Sequence, residues 1–256
     1  MNTMKLTLHA ALLVSVAACS DYAPTSAEPA APQPTVVVAS GDITGQVDAF
    51  RTALGPSNGG TAGEQSTGRR EINWDGVGAN AFDNRNDFPA DFFNTNVKSG
   101  AVFTTAGTGF RNDSTRFAEV NPAYAAQFRF FSASKIFAPV GSNVLDQAFR
   151  VAGQPTPASV RGFGVVFSDV DVANRTTIQL FARDGTSLGT FSAPVRSDEA
   201  GLSFVGVTFD TPLIAAVRIT LGTGALGAGV DDLTAGGATD LVVLDNLIYG
   251  EPRRGL

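Results

Sequence analysis

Short runs of alternating apolar and polar residues recur along residues 69–249, and this pattern constrains the fold more than any other feature of the chain. A period of two places every second side chain on the same face of a β-strand. Turn residues separate the runs, and Asp184-Gly185 between two of them is a strong signal for a hairpin. The predicted strands cover residues 69–74, 101–105, 126–131, 133–138, 144–151, 159–168, 176–182, 187–191, 202–209, 214–221 and 240–249. Their number and spacing predict an all-β fold, a two-sheet antiparallel β-sandwich of the jelly-roll kind.

The composition agrees with a sandwich built around one large core. Hydrophobic residues make up 43% of the chain, and 19 Phe stand against 3 Tyr and 1 Trp. Phe adds apolar area without a polar atom that needs a partner. The 28 Gly residues and the charged fraction of 16% favour short strands and tight turns over a helical bundle.

The scarcity of cysteine and histidine excludes several kinds of chemistry. Cys19 is the only cysteine and His9 is the only histidine, and both lie near the N-terminus. The rest of the chain therefore cannot form a disulfide or a Cys/His zinc site, and it cannot use a thiol or a His-activated serine as nucleophile. The net charge of −6 argues against a nucleic-acid partner, which would need a basic face.

The N-terminal residues predict export from the cytoplasm. Lys5 precedes an apolar stretch over residues 6–18, which is shorter than the about 20 residues that span a bilayer. The stretch ends in Val16-Ala17-Ala18-Cys19, which resembles the lipobox of bacterial lipoproteins. This resemblance implies a signal peptide over residues 1–18, lipidation of Cys19 and anchoring to a membrane by acyl chains. Ser20 implies sorting to the outer membrane, facing the periplasm or the surface; an ordinary secretory signal is the alternative.

Two segments are predicted between this leader and the sandwich. Residues 19–40 are rich in Pro, Ala and Ser, which predicts a disordered tether. Residues 43–54 have apolar side chains at helical spacing, so residues 41–68 are predicted to form a short helix and a Gly-rich connection. The sandwich domain is then expected over residues 69–256.

Four stretches within residues 158–251 carry a family resemblance. They read GFGVVFSDVD, TTIQLFARDGTSLGTF, LSFVGVTFDTPLIAAVRIT and LVVLDNLIYGE. They resemble the second half of secreted bacterial jelly-roll domains, which are similar to galactose-binding-like and other carbohydrate-binding modules. The front segment GRREINWDGVGAN resembles a stretch of uncharacterised secreted bacterial proteins. The first resemblance implies a sandwich fold and a glycan ligand.

The only tryptophan lies in the densest group of polar and charged side chains. Trp74 could stack on a sugar ring while Arg70, Asn73 and Asp75 hydrogen-bond to the sugar hydroxyls. This interpretation predicts a ligand-binding site made of these four residues. The alternative places Ile72 and Trp74 on the core face, because residues two apart in a strand share a face.

Two acidic segments are candidates for a calcium site. Residues 80–91 (NAFDNRNDFPAD) include Asp83 and Asp87, and Ca²⁺ binds carboxylate and amide oxygens. A solvated turn is the alternative for that segment. Asp245 interrupts an apolar row on the last predicted strand, where a buried carboxylate needs a partner. In the jelly rolls that this chain resembles, an acid on the last strand helps to bind a structural Ca²⁺, which implies a site made of Asp75, Asp83, Asp87 and Asp245; a hydrogen-bonded or Arg-paired Asp245 is the alternative.

A third acidic segment ends the predicted strand over residues 159–168. Asp169 and Asp171 share a face if the strand continues, and Asn174 follows closely. These side chains could bind a cation or a polar ligand. The alternative is an exposed turn that the acids cap.

Taken together, these patterns predict a non-catalytic, membrane-anchored lipoprotein outside the cytoplasm that binds a polar ligand, a glycan in the first place. One alternative is a structural protein that contacts another envelope protein and binds no small ligand. Another is a glycan-cleaving enzyme, because paired carboxylates hydrolyse glycosides without His or Cys. Glu71 is the glutamate that lies in a polar cluster.

Overall fold

A computed structural model describes residues 1, 32–77, 82–196 and 200–255. Gln33–Leu256 form one compact unit. The predicted signal peptide, the lipidation site Cys19, most of the predicted tether and Asn80 of the predicted calcium loop lie outside the described residues. Within those residues, no helix combines the length and the apolar character that crossing a membrane requires.

Twelve strands and three α-helical segments are present in the described ranges. The strands are β1 (Thr35–Ser40), β2 (Arg69–Ile72), β3 (Ala101–Thr104), β4 (Gly109–Asp113), β5 (Ile136–Val140), β6 (Val144–Phe149), β7 (Gly162–Ser168), β8 (Thr177–Phe181), β9 (Ser187–Ser192), β10 (Leu202–Thr208), β11 (Ala216–Thr220) and β12 (Val243–Gly250). The helices are α1 (Thr44–Leu54), α2 (Phe92–Thr95), α3 (Tyr124–Gln127) and a 3₁₀ turn at Leu233–Ala235.

The strands form two antiparallel sheets that pack face to face, so the predicted β-sandwich is confirmed. The larger sheet has seven strands in the order β1-β10-β7-β12-β5-β4, with β2 also paired to β12. The smaller sheet has five strands in the order β3-β6-β11-β8-β9. The predicted hairpin joins β8 to β9, with Gly185 at a φ of 84°.

The main core lies between the two sheets and is rich in Phe. On β7, Phe163, Val165 and Phe167 point into this core, and all three are buried. The opposite face of β7 carries Gly162 and Gly164. Alternation along this strand therefore supplies large side chains to one face and leaves room for close contact on the other.

Helix α1 occupies that room and covers the outer face of the larger sheet. Its buried residues Val47, Phe50 and Leu54 pack with Phe204 in a second cluster. A Cβ atom on Gly164 would lie 2.8 Å from the Phe50 ring, so the absence of a side chain lets the helix approach. The helix predicted over residues 43–54 is thus present, and it packs on the sheet instead of standing apart from it.

Two predictions near this face differ from the structure. Residues 35–40 were expected in the disordered tether but form β1, because their β-branched side chains extend the sheet beside β10. Residues 126–131 were expected as a strand, but α3 ends at Gln127 and Phe128 packs with Tyr124 in a third cluster. That cluster covers the outer face near β5, so these apolar residues are buried without joining a sheet.

Strand β12 contains a β-bulge at Asp245 and Asn246. Leu244 pairs with Phe167 but Leu247 pairs with Val165, so β12 holds one extra residue between these pairs. Strict alternation would place Leu244 and Leu247 on opposite faces, yet both lie in the main core. The bulge therefore shifts the alternation of the last strand by one residue.

Candidate metal centre

The structure contradicts the predicted sugar-stacking role of Trp74. Its side chain is 1% exposed, and its ring stacks on Phe137 with centroids 3.9 Å apart. The indole Nε1–H donates to the backbone carbonyl of Asp245 at 2.5 Å. Trp74 therefore belongs to the same core as Ile72, as the alternative interpretation held, although β2 ends at Ile72 and Trp74 itself has a φ of 65°.

The other three predicted ligand-binding residues do not form a site with Trp74. Arg70 is fully buried, and its Nε and Nη2 donate to Glu251 at 2.6 and 2.7 Å. Its Nη1 donates to the carbonyls of three loop residues, Gly59, Thr61 and Lys98. The Asp75 carboxylate accepts from the backbone of residues 133–134, and Asn73 alone is exposed.

The four acids of the predicted calcium site are held by other partners. Asp83 lies 3.7 Å from the Lys135 amine, and exposed Asp87 pairs with Arg85. Asp245 and Asp75 both accept hydrogen bonds from residues 131–134. Asp75 and Asp245 do lie near each other, as predicted, but N–H and O–H donors occupy the positions around their oxygens where a Ca²⁺ ion was expected.

The hydrogen-bond partners of Asp245 suit both the protonated and the ionised form of its carboxyl group. Its Oδ2 accepts from the backbone N–H groups of Phe131 and Ser132 at 2.6 and 3.2 Å. Its Oδ1 lies 2.7 Å from Ser132 Oγ, which also lies 3.0 Å from the carbonyl of Asn73. A proton on Oδ1 can therefore be donated to Ser132 Oγ, whose own proton goes to Asn73. Burial raises the pKa of Asp245 to about 7, although the hydrogen bonds of residues 131–132 lower it.

We expect Asp245→Asn to remove one part of the pH dependence of stability between pH 4 and 8. A carboxyl group whose pKa is raised on folding stabilises the protein below its unfolded pKa, and this contribution is lost as the pH rises through the folded pKa. The amide imitates the protonated acid, so the variant should be equal to wild type near pH 4 and more stable near pH 8, by at most about 4 kcal/mol. Urea unfolding across this pH range measures the difference, with the exposed Asp210→Asn as control. A difference that stays constant with pH would contradict the assignment.

A different acidic cluster lies at the end of β7. Asp169, Asp171 and Asp232 each place a carboxylate oxygen within 4.8 Å of the others. Asp169 and Asp232 are fully buried and Asp171 is half-buried. Two of these acids are in the segment singled out from the sequence, and the structure adds Asp232 from the loop between β11 and β12.

The backbone fixes the positions of the first two acids. Asp169 follows β7 directly, and its φ of 72° lies in the left-handed region. Its N–H donates to the Gly201 carbonyl at 2.8 Å. The strand therefore ends at Ser168, as predicted, and the condition for Asp169 and Asp171 to share a strand face is not met, because the chain turns at Asp169. The turn brings Asp171 round so that both carboxylates face Asp232.

Asp232 and Asp240 hold the other side of the cluster. The two oxygens of Asp232 accept from the backbone N–H groups of Thr234 and Leu241 at 2.7 and 2.8 Å. The carboxylate of Asp240 accepts from the backbone N–H groups of Asp171 and Val172, each at 3.2 Å. Four acids thus come together where two loops meet.

Three acids of the cluster have no Lys or Arg partner in the described ranges. The ion pairs found within the described ranges use other carboxylates, so no Lys or Arg pairs with Asp171, Asp232 or Asp240 there. Burial and the charges of Asp232 and Asp240 raise the pKa of Asp171 to about 7. Burial also raises the pKa of Asp240. In the described part of the chain, neither buried carboxylate oxygen of Asp171 receives a hydrogen-bond donor. The cluster could hold a metal ion.

A polar cleft of about 520 Å³ lies beside the cluster. Its lining residues are Asn143, Asn174, Arg175, Thr177, Thr220, Gly222 and Thr223. The N–H of Thr223 donates to the Asp240 carbonyl, and the N–H of Asp240 donates to Thr223 Oγ1, both at 2.9 Å. Through Asp240, the cleft wall is joined to the acidic cluster.

Comparisons with known proteins give no family for this chain. No family model and no curated protein matches it. Among solved structures, the enzymatically active domain of tailspike protein 4 from bacteriophage CBA120 is 12% identical with a TM-score of 0.29, covering 65% of this chain and 21% of that one. A two-domain protein of unknown function from Bacteroides fragilis is 14% identical with a TM-score of 0.22, covering 59% of this chain and 46% of that one. The chain spans less than half the length of either protein, and similarity at this level carries no functional inference.

Proposed function

We propose that this protein is a non-catalytic, calcium-stabilised module that a lipid on Cys19 anchors outside the cytoplasm and that binds a glycan in the polar cleft. The observation that carries the proposal is the junction of the acidic cluster with the cleft through Thr223 and Asp240. A cation on the cluster would fix the loops that line the cleft. Ligand binding and metal binding would then depend on each other.

The donor set of the cluster favours calcium among common metal ions. All candidate ligands are carboxylate oxygens, which suit a hard cation and exclude the nitrogen and sulfur ligands that zinc prefers. Ca²⁺ accepts six to eight oxygens in flexible geometry, and backbone carbonyls or water can complete its shell. A bound cation would balance the negative charge of Asp171 and Asp232, with which no Lys or Arg forms an ion pair in the described ranges.

The lining of the cleft suits a polyhydroxylated ligand. Thr hydroxyls and Asn amides both donate and accept hydrogen bonds, and Arg175 adds a charged donor. Asn174 and Arg175 are exposed at the cleft. Trp74 no longer contributes, so recognition would rest on hydrogen bonds to hydroxyl groups.

Membrane anchoring rests on the sequence alone. Val16-Ala17-Ala18-Cys19 supplies the thiol that a diacylglyceryl transfer would modify, and the charge of Lys5 with the short apolar stretch suits export. Mass spectrometry of the protein isolated from bacterial membranes tests this part directly. An unmodified Cys19 in the mature protein would rule out the lipid anchor.

We expect Ca²⁺ to raise the melting temperature of the full chain by roughly 5–10 °C over chelator-treated protein, if the ion is present at about 100 times its Kd. Asp171→Asn should abolish this increase. In chelator the same variant should be at least as stable as wild type, because it removes one charge from a repulsive cluster. Asp210→Asn, an exposed acid outside the cluster, should keep the full response. A wild-type melting temperature that is the same with Ca²⁺, Mg²⁺ and chelator would rule out the metal centre.

A glycan array with and without Ca²⁺ tests the cleft. We expect bound glycans to be lost in the double variant Asn174→Ala/Arg175→Ala and to be kept in Arg183→Ala, an exposed arginine on the β8–β9 hairpin. Binding should also weaken in chelator. Binding that survives the double variant, or a wild-type array without any bound glycan, would contradict glycan recognition at this cleft.

A further inference from the structure

Strand β1 forms one edge of the larger sheet. In the described part of the chain it pairs with β10 alone, in an unbroken register from Thr35 opposite Thr208 to Ser40 opposite Ser203. Within the described ranges, no residue pairs with the backbone donors and acceptors on its other side. Such an edge is a template for pairing with another strand.

The sequence of β1 lacks the features that usually protect an edge. Its six residues, TVVVAS, contain no charge, proline, glycine or bulge. The other edges differ. β4 is flanked by bridges from Asp83 and Arg85 to Asn112, β3 has four residues, and the β8–β9 pairing is interrupted by a register shift. Within the described ranges, β1 is the longest edge strand that has both an unbroken register and no charged residue.

The alternation of hydrogen bonds shows which backbone groups of β1 point away from β10. The N–H of Gly41 donates to the Leu202 carbonyl at 2.9 Å, and this pair continues the register of β1 with β10. Antiparallel pairs alternate between bonded and non-bonded. Val37 is therefore bonded to β10, and the N–H and C=O groups of Val36 and Val38 point to the open edge.

Val36 and Val38 also leave an apolar surface uncovered. They lie opposite Val207 and Val205, which are fully buried in the main core. The exposed fractions of Val36 and Val38 are 44% and 53%. The core between the sheets thus ends at β10, and β1 extends beyond it.

We propose that the β1 edge binds the β1 edge of a second copy of this chain, antiparallel and with the twofold axis at Val37. In this register Val36 lies opposite Val38 of the second copy, and the reverse pair follows by symmetry. Both pairs use outward backbone groups, and the four valines share one face where cross-strand contacts form. A twofold axis brings identical residues together, which is unfavourable for charged strands but not for this uncharged one. The β1 edge shares no residue with the metal centre or the cleft.

The small size of such a contact predicts weak pairing. Stable dimers bury about 1,200–2,000 Å² in total, and two edge strands with four valines bury less. We therefore expect the mass of the protein in solution to rise from monomer to dimer with concentration.

Cysteine crosslinking of the full chain in a Cys19→Ser background tests the register. Val37→Cys should form a disulfide dimer, because a non-bonded antiparallel pair brings Cα atoms to about 4.5 Å. Val36→Cys alone should not crosslink, but an equal mixture of Val36→Cys and Val38→Cys should. Dimer formation by Val37→Cys should be on the order of tenfold faster than by Thr186→Cys, an exposed control on a hairpin turn.

A charge at the edge provides the second arm of the test. Val38→Lys should abolish concentration-dependent dimers in analytical ultracentrifugation and leave the melting temperature unchanged, since Val38 is exposed. Val195→Lys, at another exposed valine outside β1, should leave dimers intact. A protein that stays monomeric at every concentration, dimers that persist in Val38→Lys, or Val37→Cys crosslinking no faster than Thr186→Cys would each overturn the proposal.

Discussion

Replacing Glu251 with leucine is expected to lower the free energy of unfolding by about 3–5 kcal/mol. In the wild-type protein, two guanidinium donors of Arg70 lie 2.6 and 2.7 Å from the Glu251 carboxylate. The substitution leaves this guanidinium buried without its counter-charge. Glu251 also accepts from Asn58 Nδ2 at 2.8 Å and from the Gln65 N–H at 3.1 Å. The loss therefore also includes the hydrogen bonds that these two half-buried donors make to the carboxylate.

A double-mutant cycle separates the ion pair from the packing around it. Arg70→Met should be destabilising by itself. The double variant Arg70→Met/Glu251→Leu should lose less free energy of unfolding than the two single variants together, because no unpaired charge remains. Glu64→Leu is the matched control, since Glu64 pairs with Arg253 at the surface and should cost less than about 1 kcal/mol. Urea unfolding of wild type and of the four variants measures these losses. Equal and small losses of unfolding free energy for Glu251→Leu and Glu64→Leu would contradict a stabilising role of the buried Arg70–Glu251 pair.

The second half of the fold was predictable because each strand combines alternation with a clear turn. The segments predicted at 176–182 and 187–191 became β8 and β9 on either side of Asp184-Gly185. β4, at Gly109–Asp113, was not predicted, because its sequence GFRND looks like a polar turn. Its polar residues are nevertheless buried. Arg111 donates to Asp113 at 2.6 Å and thus provides a partner that only the folded chain reveals.

Local sequence also cannot place residues that pair over long distances. β1 looks like the end of a Pro- and Ala-rich tether, and only its neighbour β10, more than 160 residues later, makes it a strand. The bulge in β12 has the same origin, because it appears only where the pairing with β7 shifts by one residue. Trp74 could be either a ligand platform or a core residue, and its stacking on Phe137 decides for the core.

The candidate metal centre was half predictable. Asp169 and Asp171 stood out because two acids end an apolar strand. Asp232 and Asp240 did not, since Asp232 follows a Gly-rich loop and Asp240 begins the last predicted strand. A useful signal was the Asp231-Asp232 pair directly after that loop. The chain brings these acids to β7 by tertiary folding, which spacing along the sequence does not encode.

Phe50→Ala is expected to destabilise the protein by about 3–5 kcal/mol, the range for removing a large buried aromatic side chain. Phe50 is 1% exposed and packs edge-on against Phe204 with centroids 5.4 Å apart. The prediction distinguishes two views of residues 41–68. A connecting helix outside the domain would tolerate the change, but a helix that completes the sandwich would not. Thermal and urea unfolding should show one cooperative transition at lower stability, while Thr52→Ala on the exposed side of α1 should cost less than about 0.5 kcal/mol.

The glycines beneath Phe50 allow a sharper version of this test. A Cβ atom on Gly206 would lie 2.7 Å from the Phe50 ring, so Gly206→Ala alone should cost about 1–3 kcal/mol by overpacking. In the Phe50→Ala background the same methyl group enters the space that the ring has left, and its cost should fall. Some cost should remain, because the Phe204 ring lies 2.9 Å from the same position. Additive losses in the double variant would mean that positions 50 and 206 do not interact energetically, and would contradict close packing of α1 on the sheet at this point.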